Sequence, residues 1–534
     1  MPNPVLDIQN LNITFTSGET PVKAVRDVSY SVDKGEVVCL VGESGSGKSV
    51  SAMAAMGLLP TEDCIVTADK IEFKGIDLQN ISSEGFRKLR GGEMSMIFQE
   101  PMTSLNPVFK VGQQVEEVLE IHTKLGHKAR KKRVIELFTT VELDDPERRY
   151  HAYPNQLSGG QRQRVMIAMA LAANTTLLIA DEPTTALDVT VQGKILDLLR
   201  DLIKRFDMSV LFITHDFGVV ETLGDRVVVM ENGKVVESGE VKAVMKKPKH
   251  AYTKKLLAAM PRFAPKKAGK EKTTPLLDVN NLRKTFKVRK GGFFSPAKVF
   301  PAVDDVSFRL FKGETLGIVG ESGCGKSTLA RCVIGLYAPE GGEVMFKGEN
   351  IATLKGKGLK HMRRHMQMVF QDPFSSLNPR MRIGESVGEG LRAHGLMGKK
   401  EREVFVRELL EDCGLPADSY GRFPHQFSGG QRQRICIARA LSLKPDLIIA
   451  DEAVSALDVS VQKQILALLA DLKEKYDLSY LFISHDLRVV SEVCDRVLVM
   501  QGGKIVEQGH VAEVFGNPSH VYTQHLLASI PGRA

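Results

Sequence analysis

Two stretches of this chain follow one pattern: EVVCLVGESGSGKSVSAM from Glu36 to Met53, and ETLGIVGESGCGKSTLA from Glu314 to Ala330. In each, a short apolar run leads into a glycine-rich turn, then a lysine, a hydroxyl residue and helix-forming alternation. Gly42, Gly47, Lys48 and Ser49 fit the phosphate-loop pattern G-x-x-x-x-G-K-[S/T], as do Gly320, Gly325, Lys326 and Ser327. The small residues (Gly42, Ser44, Gly45 and Gly47; Gly320, Ser322, Gly323 and Gly325) let successive backbone N–H groups curl around a phosphate. The helix that follows adds the positive end of its dipole. Lys48 and Lys326 supply a point charge near the β- and γ-phosphates, and the Ser49 and Ser327 hydroxyls are placed to ligate Mg²⁺. A single glycine-rich turn between strand and helix also has a purely structural reading. Its recurrence with the same lysine and serine removes that reading.

The recurrence also sets the domain organisation. At 534 residues the chain is too long for one core. Lys48 and Lys326 differ by 278, Gln99 and Gln371 by 272, and Ser158/Ser428, Asp181/Asp451 and His215/His485 by 270. The offset changes only between motifs, where insertions sit in surface loops. The reading is one domain used twice, over 1–263 and 276–534. A polar, basic, Pro- and Gly-bearing linker, Ala264 to Pro275 (APKKAGKEKTTP), joins them.

Composition narrows the function classes. The chain is 43% hydrophobic and 25% charged, ordinary for a soluble globular protein. No uninterrupted apolar run reaches the ~18 residues of a membrane helix, and MPNPVLDIQNLNITF has neither a basic n-region nor an apolar core. A cytoplasmic location is expected. Net charge is +8, with a basic run KARKKR at Lys128 to Arg133. That run reads as a solvated helix face, with electrostatic binding to nucleic acid or anionic lipid the alternative; no aromatic residues interleave with it to suggest a base-stacking surface. The seven cysteines form no C-x-x-C pair, against structural zinc or a disulfide framework. Cys324 stands apart because it lies inside the second phosphate loop.

Along each half, apolar runs alternate with helical spacing, so the fold class is α/β with a mainly parallel sheet. Strands are expected over residues 5–15, on both sides of Asp33-Lys34-Gly35, and as a pair from Asp69 to Asp77 turning near Lys74-Gly75. Another should end at Gln99, and TLLIADEP and VLFITHD should be buried strands. DRVVVMENGKVVESG reads as a hairpin on Asn232-Gly233. Gln113 to Thr140 carries helical spacing throughout. A ligand in such a fold lies at the carboxyl ends of the strands, where the phosphate loop, Gln99, Asp181, Glu182 and His215 all fall.

Further motifs accompany each loop. LIADE and IIADE end apolar strands in paired carboxylates, Asp181-Glu182 and Asp451-Glu452. The first of each pair suits Mg²⁺ held through water, and the second can orient an attacking water. Ser158, Gly159, Gly160 and Gln161, and their equivalents Ser428, Gly429, Gly430 and Gln431, open helices and present N–H groups and a hydroxyl to an anion.

At these residues the chain resembles the nucleotide-binding subunits of ATP-binding-cassette (ABC) transporters, over nearly all of both halves. The resemblance implies two tandem P-loop ATPase domains, each with a mainly parallel core, an antiparallel β part and a helical subdomain. It implies a head-to-tail sandwich in which Lys48, Ser49, Gln99, Asp181, Glu182 and His215 face Ser428 and Gly430. Lys326, Ser327, Gln371, Asp451, Glu452 and His485 would face Ser158 and Gly160. Glu182 and Glu452 then position or deprotonate water, and His215 and His485 sense the γ-phosphate. Ser49, Gln99 and Asp181, with Ser327, Gln371 and Asp451, form the Mg²⁺ sites. Asp188 and Asp458 match the loop that crosses between halves, and Phe15 and Phe286 are candidates to stack on adenine. Both halves keep every catalytic residue type, so two hydrolytic sites are expected. Ala453 in DEAVSALD replaces the proline of DEPTTALD without removing a chemical group.

The loops EPMTSLNP and DPFSSLNP, and the tails HAYTKKLLAAMP and HVYTQHLLASIP, are similar to the peptide-importer branch (dipeptides, oligopeptides, glutathione, nickel). Fusion of the halves together with DEAVSALD is most similar to the glutathione-importing members. Some members carry a four-cysteine iron–sulfur cluster in the tail. No cysteine stands there, so ATP and Mg²⁺ are expected without a cluster. The resemblance implies two transmembrane permease subunits, a substrate-binding protein, peripheral attachment at the cytoplasmic face of the cell membrane, and no nucleic acid. The rival reading is a soluble tandem ATPase acting on ribosomes or nucleic acid. The short Pro/Gly linker opposes it, as does the lack of zinc-module cysteines.

Overall fold

The computed structural model describes residues 4–17, 20–184, 187–261, 263, 274–289, 297–455 and 457–530. Two compact units result, one formed mainly by Met1–Leu187 and Val191–Met260, the other mainly by Pro261–Arg533. The expected linker lies outside the described residues except at its end, where Pro275 already opens a strand.

The first unit contains β1 (Leu6–Phe15), β2 (Val22–Val32), β3 (Val37–Val41), β4 (Cys64–Thr67), β5 (Lys70–Phe73), β6 (Ile76–Asp77) and β7 (Met94–Ile97). It continues with β8 (Leu177–Asp181), β9 (Ser209–Thr214), β10 (Arg226–Glu231) and β11 (Lys234–Glu240). Strands β2-β1-β5-β6 form an antiparallel sheet, with β4 also on β1. The larger sheet has the order β11-β10-β3-β9-β8-β7 and is parallel except for β11.

The run VVCLV of β3 explains this layering. All five residues are buried, as a parallel strand covered on both faces requires. Val37, Cys39 and Val41 pack with Val115, Leu137 and Ile167 from the helical side. Val38 and Leu40 pack with Leu6, Val28 and Phe73 of the antiparallel sheet. Alternate side chains of one strand thus serve two cores.

The second unit repeats the plan with β12 (Pro275–Arg289), β13 (Ala297–Phe311), β14 (Thr315–Val319), β15 (Gly341–Phe346), β16 (Glu349–Asn350) and β17 (Met366–Val369). Its remaining strands are β18 (Leu447–Asp451), β19 (Ser479–Ile483), β20 (Arg496–Gln501) and β21 (Lys504–His510). The sheet orders are β13-β12-β15-β16 and β17-β18-β19-β14-β20-β21.

Local expectations meet three differences. The strand expected to end at Gln99 stops at Ile97, so Gln99 stands free of the ladder. The helical stripe of Gln113 to Thr140 is two helices, Val111–His122 and His127–Thr140, because Thr123 turns extended and Gly126 starts the second. Strand β4 was not foreseen. The hairpin does turn on Asn232 and Gly233, whose φ values are 48° and 80°, as a primed turn requires. The basic run lies on the helix His127–Thr140, and part of its charge is already used. Arg130 bonds Glu116 at 3.3 Å, and Lys131 lies 5.1 Å from the Tyr150 ring centre. No helix among the described residues is long and apolar enough to cross a membrane.

Candidate functional site

In each unit the phosphate loop joins a central parallel strand to a helix, Lys48–Ala55 in the first and Lys326–Val333 in the second. The residue before each helix is a left-handed glycine, Gly47 at φ 96° and Gly325 at φ 110°. A Cβ at Gly47 would stand 2.7 Å from the Ala24 carbonyl, and one at Gly325 would meet that of Ala302. Only glycine satisfies both constraints. Gly45 and Gly323 face open space instead, leaving room for an anion over the loop.

The lysines are buried and folded back. Lys48 Nζ donates to the carbonyls of Gly42 (2.8 Å) and Glu43 (2.9 Å), and Lys326 Nζ to those of Gly320 (2.7 Å) and Glu321 (2.9 Å). Ser49 Oγ donates to Asp181 Oδ1 at 2.8 Å, and Ser327 Oγ to Asp451 Oδ1 at 2.9 Å. Burial pushes the Asp181 carboxyl above its ordinary range; the Ser49 hydrogen bond and the Lys48 charge pull it down, while Glu182 adds to the rise. Asp451 is pushed up in the same way, with burial again the main cause. A hydroxyl and a poorly solvated carboxylate make an oxygen-only donor set, which suits a hard divalent cation.

The neighbouring glutamates are conformationally unusual. Glu182 and Glu452 have φ of 46° and 50°, a left-handed state that non-glycine residues adopt at a cost of order 1–3 kcal/mol. Backbone bonds from Glu182 N to Ile213 O (2.9 Å) and from Glu452 N to Ile483 O (3.0 Å) hold them there. Gln99 Nε2 donates to Glu182 Oε2 at 2.9 Å, and His215 Nδ1 lies 3.1 Å from Glu182 Oε1. Gln371 Nε2 donates to Glu452 Oε2 at 2.7 Å, with His485 Nδ1 3.4 Å from the same oxygen. Burial raises Glu452, but the His485 hydrogen bond and charge outweigh it and leave the carboxyl below its usual value. Burial lowers His485, and Glu452 more than reverses this, so the imidazole sits above its usual value.

Each unit therefore gathers its lysine, serine, aspartate, glutamate, glutamine and histidine at the ends of parallel strands. The serines of the S-G-G-Q motifs start other helices. Ser158 Oγ accepts from Gln161 N at 3.3 Å and Gln161 Oε1 from Ser158 N at 3.1 Å, a capping box that Ser428 and Gln431 repeat. Phe15 ends β1 half-buried. Phe286 is half-buried edge-on against Tyr337, with ring centres 5.7 Å apart. Asp458 precedes the helix Val459–Tyr476 and Asp188 the helix Val189–Phe206.

Two contacts on the loops were not foreseen. The Tyr252 hydroxyl accepts from Glu43 N at 3.1 Å, and the Tyr522 hydroxyl from Glu321 N at 2.9 Å. The signal available in the sequence was a tyrosine in each C-terminal tail, again 270 residues apart.

A duplicated nucleotide cassette with these acidic strand ends defines the class. The family model "ABC transporter" matches residues 25–185 and 303–455, and the chain belongs to that family. A second model, "Oligopeptide/dipeptide transporter, C-terminal region", matches 236–295 and 506–533. The protein is thus an ABC transporter ATP-binding protein of the oligopeptide/dipeptide importer type, an ATPase whose hydrolysis is coupled to import. It is 47% identical to "Glutathione import ATP-binding protein GsiA" of Escherichia coli O157:H7, over 99% of this chain and 89% of the relative. The same figures hold for the proteins of that name from Escherichia coli (strain K12) and Shigella sonnei (strain Ss046). Among solved structures, the ATP-binding cassette MJ0796 bound to ADP and Pi is 30% identical. That match covers 44% of this chain and 98% of the other, with a TM-score of 0.40.

Proposed function

We propose that this chain is the motor of an importer for glutathione or short peptides, with domains 1–263 and 276–534 each supplying half of two composite ATP sites. The duplicated Lys–Ser–Asp–Glu–Gln–His constellation carries the reading, because no member is missing from either unit. In it, each nucleotide lies between the phosphate loop of one half and the S-G-G-Q motif of the other. Ser49 with Asp181, and Ser327 with Asp451, hold Mg²⁺, which neutralises phosphate charge when bound. Lys48 and Lys326 leave their loop carbonyls for phosphate oxygens. Glu182 and Glu452 take the proton of the attacking water, and His215 and His485 hold the γ-phosphate. Phe15 and Phe286 lie against the adenine. Closure on ATP and release after hydrolysis convert phosphate contacts into rigid-body motion.

Two transmembrane permeases hold the chain at the cytoplasmic face of the membrane, and a substrate-binding protein delivers cargo. Supporting the permease contact, a groove of about 790 Å³ lies beside Gln371, lined in part by Asp372, Ser375, Glu389 and Arg439. In the first unit, Val108 and Phe109, nine and ten residues after the corresponding glutamine in the sequence, are exposed at 73% and 53%. Glutathione is favoured as cargo by the relatives' identity over nearly the whole chain.

The test is uptake of labelled glutathione, a dipeptide and an oligopeptide by cells lacking this chain. Cells are restored with wild type or with Glu182→Gln/Glu452→Gln. Loss of one uptake, rescued by wild type alone, names the cargo. Unchanged uptake of all three removes peptide cargo and makes nickel the next solute to measure.

A further inference from the structure

Each unit ends in a tail that returns to its own phosphate loop, and the route is the same in both. On β11, the Glu237 carboxylate accepts from Lys249 N (2.7 Å) and His250 N (3.0 Å). On β21, Glu507 accepts from Ser519 N (2.8 Å) and His520 N (3.2 Å). His250 Nδ1 then accepts from Tyr252 N at 3.2 Å and His520 Nδ1 from Tyr522 N at 3.1 Å, capping the helices Ala251–Ala259 and Val521–Ala528. A strand carboxylate thus aims the first turn of the tail helix, and the tyrosine projects from that turn. Both tyrosines are buried, and their hydroxyls end on Glu43 N and Glu321 N.

The residue they reach matters. The carbonyl of Glu43 is one of the acceptors that hold Lys48, and the carbonyl of Glu321 does the same for Lys326. One residue of the loop is therefore gripped at both ends, by the tail at its N–H and by the phosphate-binding lysine at its carbonyl. Were the lysine to move to a phosphate, the tyrosine contact to the N–H would not depend on it. Burial pushes the Tyr522 hydroxyl far above its ordinary value, so the acceptor stays neutral throughout the working range of pH.

We propose that Tyr252 and Tyr522 are positioning residues of the two ATP sites: their hydroxyls keep each phosphate loop open to nucleotide, and this is what the tail contributes to the motor. The inference rests on the phosphate loops being the ATP sites. The same hydroxyl contact is made to the equivalent loop residue in both units. The two tails differ around it, AYTKKLL against VYTQHLL.

The experiment titrates the purified full chain with a fluorescent ATP analogue and measures steady-state hydrolysis. Wild type is compared with Tyr252→Phe/Tyr522→Phe, which keeps the rings and removes the acceptors. The second variant, Leu256→Val/Leu526→Val, trims buried tail residues one helical turn beyond the tyrosines. Leaving a half-buried N–H without its acceptor should raise the ATP dissociation constant and KM about five- to tenfold, while kcat at saturating ATP changes less than about twofold. The leucine pair should lower the melting temperature with ATP affinity unchanged. An ATP affinity within twofold of wild type in the phenylalanine pair overturns the proposal. So does an equal loss of affinity in the leucine pair, which would make the effect one of tail stability. Wild type failing to bind ATP would instead bring down the assignment of the sites themselves.

Discussion

Gln99 Nε2 donates to Glu182 Oε2 at 2.9 Å, and Gln371 holds Glu452 in the same way at 2.7 Å. With His215 3.1 Å from the other oxygen of Glu182, that carboxylate is oriented from two sides, next in the chain to Asp181. A glutamine in its place keeps the shape and loses the ability to take a proton. The double variant Glu182→Gln/Glu452→Gln should therefore bind ATP while its phosphate release falls about 10²- to 10⁴-fold. Undiminished turnover, measured alongside nucleotide binding, would refute the assignment.

Glu36 and Arg226 make a bidentate pair that ties the turn before β3 to β10. The distances are 2.8 Å from Nε to Oε1 and 2.9 Å from Nη2 to Oε2, and Glu36 is 17% exposed. Burial raises the Glu36 carboxyl, but the Arg226 hydrogen bonds, the Asp33 N–H and the arginine charge leave it below its ordinary value of 4.5. A carboxylate depressed in the folded state stabilises it above that value and loses the contribution as pH falls through the depressed one. Glu36→Gln should cost about 1–3 kcal/mol at pH 7. The gap from wild type should narrow below pH 4.5. Urea midpoints at pH 7 and pH 4 measure it, and a gap independent of pH contradicts the pairing.

The grouping of the candidate site residues was legible because each sits in a short local pattern. A glycine turn with Lys48 and Ser49, or an apolar strand ending in Asp181 and Glu182, carries its meaning in a few neighbours. What was not legible depends on tertiary contact. Nothing local to HAYT says that the Tyr252 hydroxyl reaches a residue 209 positions earlier. The apolar stripe from Val115 to Phe138 runs through two helices because Gly126 restarts it, and periodicity alone does not register a four-residue break. Gln99 lay beyond its strand end because its partner is Glu182 rather than a neighbouring strand.

The loop glycines have separable duties. Gly47 is left-handed at φ 96° and its Cβ would lie 2.7 Å from Ala24 O. Gly45, at φ 77°, faces no atom within 4 Å. Gly47→Ala should therefore lower both the melting temperature and ATP binding. Gly45→Ala should cost only about 1 kcal/mol of stability while weakening ATP binding, since its methyl group points to where phosphate would lie. Calorimetry with parallel ATP titration separates the two, and equal stability losses would contradict the steric difference.

Cys324 distinguishes the two loops chemically. It occupies the place that Ser46 holds in the first, 4.0 Å from Lys326 Nζ, as Ser46 Oγ is 3.5 Å from Lys48 Nζ. Cys324 is 7% exposed. Burial raises it above its ordinary value of 9.0, although the Lys326 charge pulls the other way. Because the thiolate is the nucleophile, iodoacetamide should react slowly at pH 7 and faster as pH rises toward 9 and beyond. Modification should inhibit turnover, and Mg-ATP should protect by covering the loop. Cys324→Ser should hydrolyse ATP and resist the reagent, since the first loop already uses serine there. Peptide mapping by mass spectrometry, with residual ATPase activity, reads the outcome. Equal inhibition with and without nucleotide would remove Cys324 from the pocket.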